Sequence, residues 1–125
     1  MIQNSNRLSK MLGLAVACLT LFTLSSTAQT TPKPTVMKGE VLDMSCYMAS
    51  GMHGASHKDC AQKCINGGSP MGLLTSSGKV YLLVENHDKP EAYTTAKTHA
   101  GDQIEVTGTY ADKGGIQGLV VDQVK

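Results

Sequence analysis

The sequence has no tryptophan, and its one phenylalanine (Phe22) and one arginine (Arg7) both fall within the first 28 residues. Beyond that point the aromatic content is Tyr47, Tyr81, Tyr93 and Tyr110. Charge of either sign is also scarce. With Arg7 and Lys10 set apart as part of a leader, nine lysines remain against ten acids, so the balance is near zero. A nucleic-acid binder draws on a basic face and on bases stacked over aromatic rings or guanidinium planes. Neither is available, which excludes nucleic acid as a partner. Catalytic patterns are missing too. The chain has no C-x-x-C redox pair, no C-x-x-C-H haem attachment, no Ser/His/Asp arrangement and no paired carboxylates. The expectation is a protein that is not an enzyme.

No apolar run is long enough for a membrane span. The run from Met11 to Leu24 falls short of the ~20 residues a crossing helix needs. It follows the basic Arg7 and Lys10 and precedes the small-residue site Ser26-Thr27-Ala28, the layout of a secretory signal peptide over residues 1–28. The mature chain is then expected to be exported, periplasmic or extracellular, without a membrane span. A lipoprotein anchored through Cys18 is the less favoured variant, because strongly apolar sequence (LTLFTL) continues past that cysteine. Residues 29–35 (QTTPKPT) read as a flexible tether, and 36–125 as a single domain.

Within this plain composition one stretch stands apart. MSCYMASGMHGASHKDCAQKC, residues 44–64, holds three cysteines, two histidines and three methionines. Around it the chain is β-patterned. Val36–Met44 reads as a first strand with Gly39 a bend or bulge, Gly72–Thr75 and Lys79–Glu85 as a hairpin, and Ile116–Val124 as a last strand. The second hairpin strand is apolar on both faces and is expected to be central. Gln103–Tyr110 alternates, with Ile104, Val106 and Tyr110 expected on the inner side. Ser56, followed by Asp59, marks the start of a helix over about His57–Ile65 that stops at Asn66-Gly67-Gly68. Residues 89–100 fit either a short helix or a loop. The fold class expected is mainly β: a small five-stranded OB-like barrel with one short helix between strands 1 and 2, and a Cys/His insertion at 44–68.

The pattern GEVLDMSCYM…H..CAQKCINGGSPMGLL…GKVYLL, with AGDQIEVTGTY and GIQGLVVDQV behind it, resembles a group of small secreted bacterial proteins of unknown function. The similarity covers roughly residues 38–124, and the CYM…CAxxC segment is its distinctive part. The resemblance implies export and an OB-like barrel carrying a Cys/His segment; it implies no activity.

On a helix, His57, Cys60 and Cys64 fall within roughly a 60° arc, so their side chains share one stripe. Cys46 would complete a Cys₃His set if the end of the first strand packs against that stripe, a donor set suited to one Zn2+ ion. Met48 and Met52, with His53, are reserve ligands, and soft sulfur donors also suit Cu(I). The bland account of the methionines is that they fill core gaps in a chain short of large aromatics. For the cysteines the competing account is a disulfide from Cys46 to Cys60 or to Cys64, which suits an oxidising compartment and leaves one thiol over. His57 could equally be an exposed first-turn histidine, while His87 and His99 belong to no cluster.

Three functions follow: an exported soft-metal binder for sequestration, delivery or structure; a disulfide-stapled module that binds an unknown protein partner; and a thiol–disulfide redox protein using Cys60 and Cys64.

Overall fold

The computed structural model describes residues 32–125. The signal peptide expected at 1–28, and with it Cys18, lies outside the described residues. So does the start of the tether; its remainder up to Pro34 has no regular structure, and the first strand begins at Thr35.

Five strands form a closed barrel: β1 (Thr35–Asp43), β2 (Met71–Leu74), β3 (Val80–Glu85), β4 (Gln103–Lys113) and β5 (Ile116–Val124). Around the barrel the order is β1-β2-β3-β5-β4, with β4 returning to β1. Every pairing is antiparallel except β3 with β5. This is the five-stranded OB arrangement expected from the sequence. The helical content exceeds the single expected helix. Between β1 and β2 run α1 (Met44–Ser50), a 3-10 turn (Ala55–His57) and α2 (Lys58–Asn66), and α3 (Pro90–Lys97) links β3 to β4.

The interior is aliphatic, as the shortage of aromatics requires. Val41, Leu73, Leu83, Val106, Leu119 and Val121 fill it from the five strands, and Met71 and Ile104 extend it. Helices close the barrel mostly with alanine: Ala92 and Ala96 from α3 and Ala61 from α2 are buried, with Ile65 of α2 beside them. Alanine on the buried faces lets both helix backbones approach the strand ends closely, and Tyr93 packs against the same cluster. The Gln62 side-chain amide donates to the Lys97 carbonyl at 2.7 Å, tying α2 to α3. Lys58 pairs with Asp102 at 2.6 Å and fixes the start of α2 against the turn before β4.

Two glycines serve closure. β1 leaves β4 for β2 around Gly39 and Glu40. A side chain on Gly39 would come 2.5 Å from the Leu74 carbonyl oxygen, so this is a close backbone approach within a continuous strand. Gly108 sits at the register shift between β4 and β5, where an added methyl would strike the Val120 carbonyl.

Two strand expectations need correction. In β3 only Leu83 is buried, and Val84 is 37% exposed. A closed barrel has no central strand, and each strand shows one face to the outside. Tyr110 is also not inside with Ile104 and Val106. It is 40% exposed and meets Tyr81 edge-on at 6.1 Å, although Leu119, its partner on β5, is buried in the core.

Candidate metal centre

The site grows from the end of β1. Asp43, almost fully buried, stops the strand and caps α1, its carboxylate accepting from the backbone N–H groups of Ser45 (3.0 Å) and Cys46 (3.3 Å). Cys46 therefore sits in the first turn of a helix and not at the strand end expected from the sequence. Gly51, at φ 69°, ends α1 in the left-handed region, and its N–H reaches the Tyr47 carbonyl at 2.8 Å. The chain then crosses back over β1, where the buried Glu40 carboxylate accepts from the Gly54 N–H and lies 3.3 Å from the His53 ring nitrogen.

The 3-10 turn delivers His57 to the head of α2, whose start carries no side-chain cap from Ser56 or any other residue. In α2, Ala61 and Ile65 point into the core while Cys60 and Cys64, four residues apart, share a different face. The far end of α2 is pinned to the start of α1. Ser69 donates its hydroxyl to Asp43 and lies 2.8 Å from the Ser45 hydroxyl, while Met44 N–H bonds to the Pro70 carbonyl at 2.9 Å. Both ends of the α1–α2 insertion are thus held against Asp43, and that brings the sulfurs together.

Two donor groups result. Ligand atoms of Cys46, His57 and Cys60 lie within 4.8 Å of one another, and so do those of Asp43, Cys46 and Cys64. Donors around a tetrahedral Zn2+ with Zn–S of 2.3 Å would be about 3.8 Å apart, so an ion needs only a modest contraction of either group. The cluster can hold a metal ion. Of the expected set, Cys46, His57 and Cys60 come together, whereas Cys64 joins Cys46 only in the second group, with Asp43.

His57 is the most informative member. It is 4% exposed, contrary to an exposed first-turn histidine, and its Nε2 is buried with no hydrogen-bond partner. Such a nitrogen costs about 1–3 kcal/mol unless something pairs with it. The thiols nearby are held as donors in waiting. The hydrogen bond to Asp43, with partial desolvation and the neighbouring Cys64, pushes the Cys46 thiol up to about 12. Burial raises the Cys64 thiol, with the hydrogen bond to Cys46 working against it. Desolvation also opposes ionisation of Asp43, but its hydrogen bonds from Cys46, Ser69 and Ser45 outweigh that and hold it below the usual carboxylate range.

The disulfide expected from Cys46 to Cys60 or Cys64 is not formed: all three cysteines are free thiols, Cys60 exposed and the other two half-buried. Their sulfurs gather around the imidazole and the carboxylate without pairing. The reserve ligands stay outside the cluster. His53 turns to Glu40, with its side chain 47% exposed, and Met48 and Met52 are 74% and 48% exposed. Core filling accounts for Met71 and Met37 but not for these two. His87 is exposed, and His99 lies 3.6 Å from Asp102 on the α3–β4 turn.

Asp43 is the site residue that the sequence reading passed over, although Asp is a favoured N-cap residue type and a helix begins directly after it at Met44. Elsewhere, an apolar groove of about 270 Å³ on β3, β4 and β5, lined by Leu82, Val84, Ile116 and Val120 among others, shares no residue with the insertion. Among the described residues no helix is long and apolar enough to cross a membrane. Comparison with family models, curated proteins and solved structures returns no match.

Proposed function

We propose that this chain is an exported binding protein, not an enzyme, that holds a soft metal ion, Zn2+ or Cu(I), through Cys46, His57 and Cys60, with Cys64 alongside. The observation that carries this reading is His57: its Nε2 is buried without a partner, and its imidazole shares a 4.8 Å group with two thiol sulfurs. An ion would accept an imidazole lone pair, and the thiolates would supply soft donors and negative charge. Exported thiols face an oxidising environment, and ligation protects them from pairing. Three protein donors leave a position open to water or to a donor from another molecule. That suits sequestration or delivery better than a closed structural site.

The test is a competition titration of the reduced protein with Zn2+ and with Cu(I) against a chromophoric chelator. High-affinity binding is expected, weakened at least about tenfold by His57→Ala and by Cys60→Ser, by analogy with the loss when even outer-shell partners are removed. His87→Ala should change nothing. Equal affinity in all of these variants, or no binding above that of a cysteine-free control, overturns the reading.

A further inference from the structure

We propose that the cluster binds two divalent soft ions, zinc in chemical class, which share the Cys46 sulfur: one held with His57 and Cys60, the other with Asp43 and Cys64. This rests on the metal-binding reading above and extends it from one ion to a bridged pair.

The first ground is geometric. Each group of three donors closes within 4.8 Å, and among the described residues no group of four does. A single tetrahedral ion would have to draw Cys64 towards His57 and Cys60. The two groups instead meet only at Cys46, and a thiolate sulfur carries enough lone pairs to bond two soft ions at once, which nitrogen in an imidazole cannot do.

The second ground is charge. With the thiols ionised, Asp43, Cys46, Cys60 and Cys64 bring four negative charges into a partly buried space. One divalent ion would leave the thiols it does not reach protonated and unused, whereas two divalent ions balance all four charges. Two monovalent copper ions would not, so the count favours Zn2+ over Cu(I) for the pair.

The third ground is the state of Asp43. It is 1% exposed, and one of its carboxylate oxygens lies within 4.8 Å of the Cys46 and Cys64 sulfurs. A cation among those three atoms would pair with this buried carboxylate. Ser69 and the Ser45 N–H continue to hold the carboxylate in place, as outer-shell hydrogen bonds do for ligating carboxylates.

The experiment counts zinc on the full exported chain, reduced and kept under anaerobic conditions, by native mass spectrometry. Two ions per chain are expected. Cys64→Ser and Asp43→Asn should each leave one ion, as should Cys60→Ser, whereas Cys46→Ser should leave none held tightly. Asn is itself a good helix cap, so Asp43→Asn tests the ligand without removing the cap. Substitution with Co2+ gives an independent reading. Two sulfur-bridged high-spin ions couple magnetically, so the paramagnetic resonance signal should rise with the first equivalent and fall with the second. One zinc on the unaltered chain, or two retained in both Cys64→Ser and Asp43→Asn, overturns the bridged pair while leaving the one-ion reading intact. No zinc at all overturns the pair, and if Cu(I) does not bind either, the one-ion reading falls with it.

Discussion

Replacing His57 with leucine should raise the stability of the metal-free protein while weakening the metal-bound one. The imidazole is 4% exposed and its Nε2 has no partner, so the folded protein without an ion carries an unsatisfied buried nitrogen. The cost of such a group is about 1–3 kcal/mol, and an apolar side chain in its place removes it. For a domain of about this size 1 kcal/mol moves the melting temperature by roughly 4–8 °C, so His57→Leu in chelator should melt several degrees higher than the parent. With free zinc near a thousand times Kd, binding to the native state adds about 4 kcal/mol, and much of that increment depends on this ligand. The order of the two proteins should therefore invert between chelator and excess zinc. The assay is thermal unfolding by circular dichroism under reducing conditions, with and without zinc. A variant less stable than the parent in chelator, with its zinc increment unchanged, would refute the reasoning and make His57 an ordinary packed side chain.

Asp43→Ala should cost about 1–2 kcal/mol in urea denaturation of the metal-free protein, since it strips the cap from α1, and Asp43→Asn should cost much less. Gly108→Ala should destabilise by about 1–3 kcal/mol or more, because the new methyl meets the Val120 backbone; Gly72→Ala meets the flexible Met44 thioether and should cost less. Zinc affinity should rise with pH. The Cys46 thiol, pushed up to about 12 chiefly by its hydrogen bond to Asp43, is protonated near neutrality and must release its proton to ligate. Each unit of pH increase should strengthen binding about tenfold per proton released, measured by competition titration between pH 6 and 8. A flat profile would mean that Cys46 is not a ligand.

Alternation and turn chemistry placed the strand bounds within one residue except at the end of β4, which runs three residues past Tyr110 to Lys113; a barrel strand buries one face, and the period of two shows it directly. The pattern misled where that logic lapses. Tyr110 continues the alternation of Ile104 and Val106 and pairs with the buried Leu119, yet it is 40% exposed, and no local signal marks where a barrel interior ends. In the candidate site the sulfur and imidazole residues were legible from composition alone. The position of Cys46 was not, since Val-Leu-Asp-Met reads on as strand, and only the Asp43 cap with Gly51 at the far end marks α1 as a helix. The split into two donor groups depends on Ser69 docking on Asp43 from 26 residues away, a contact no local pattern encodes. The burial of His57 depends likewise on how the 3-10 turn packs.

The most direct measurement is the metal and thiol content of the protein isolated from its native compartment without chelator. Zinc or copper at one or more equivalents is predicted, with all three thiols reduced and slow to react until a chelator is added. A metal-free protein in which Cys46 is bonded to Cys60 or Cys64, with a single reactive thiol left, would contradict the account.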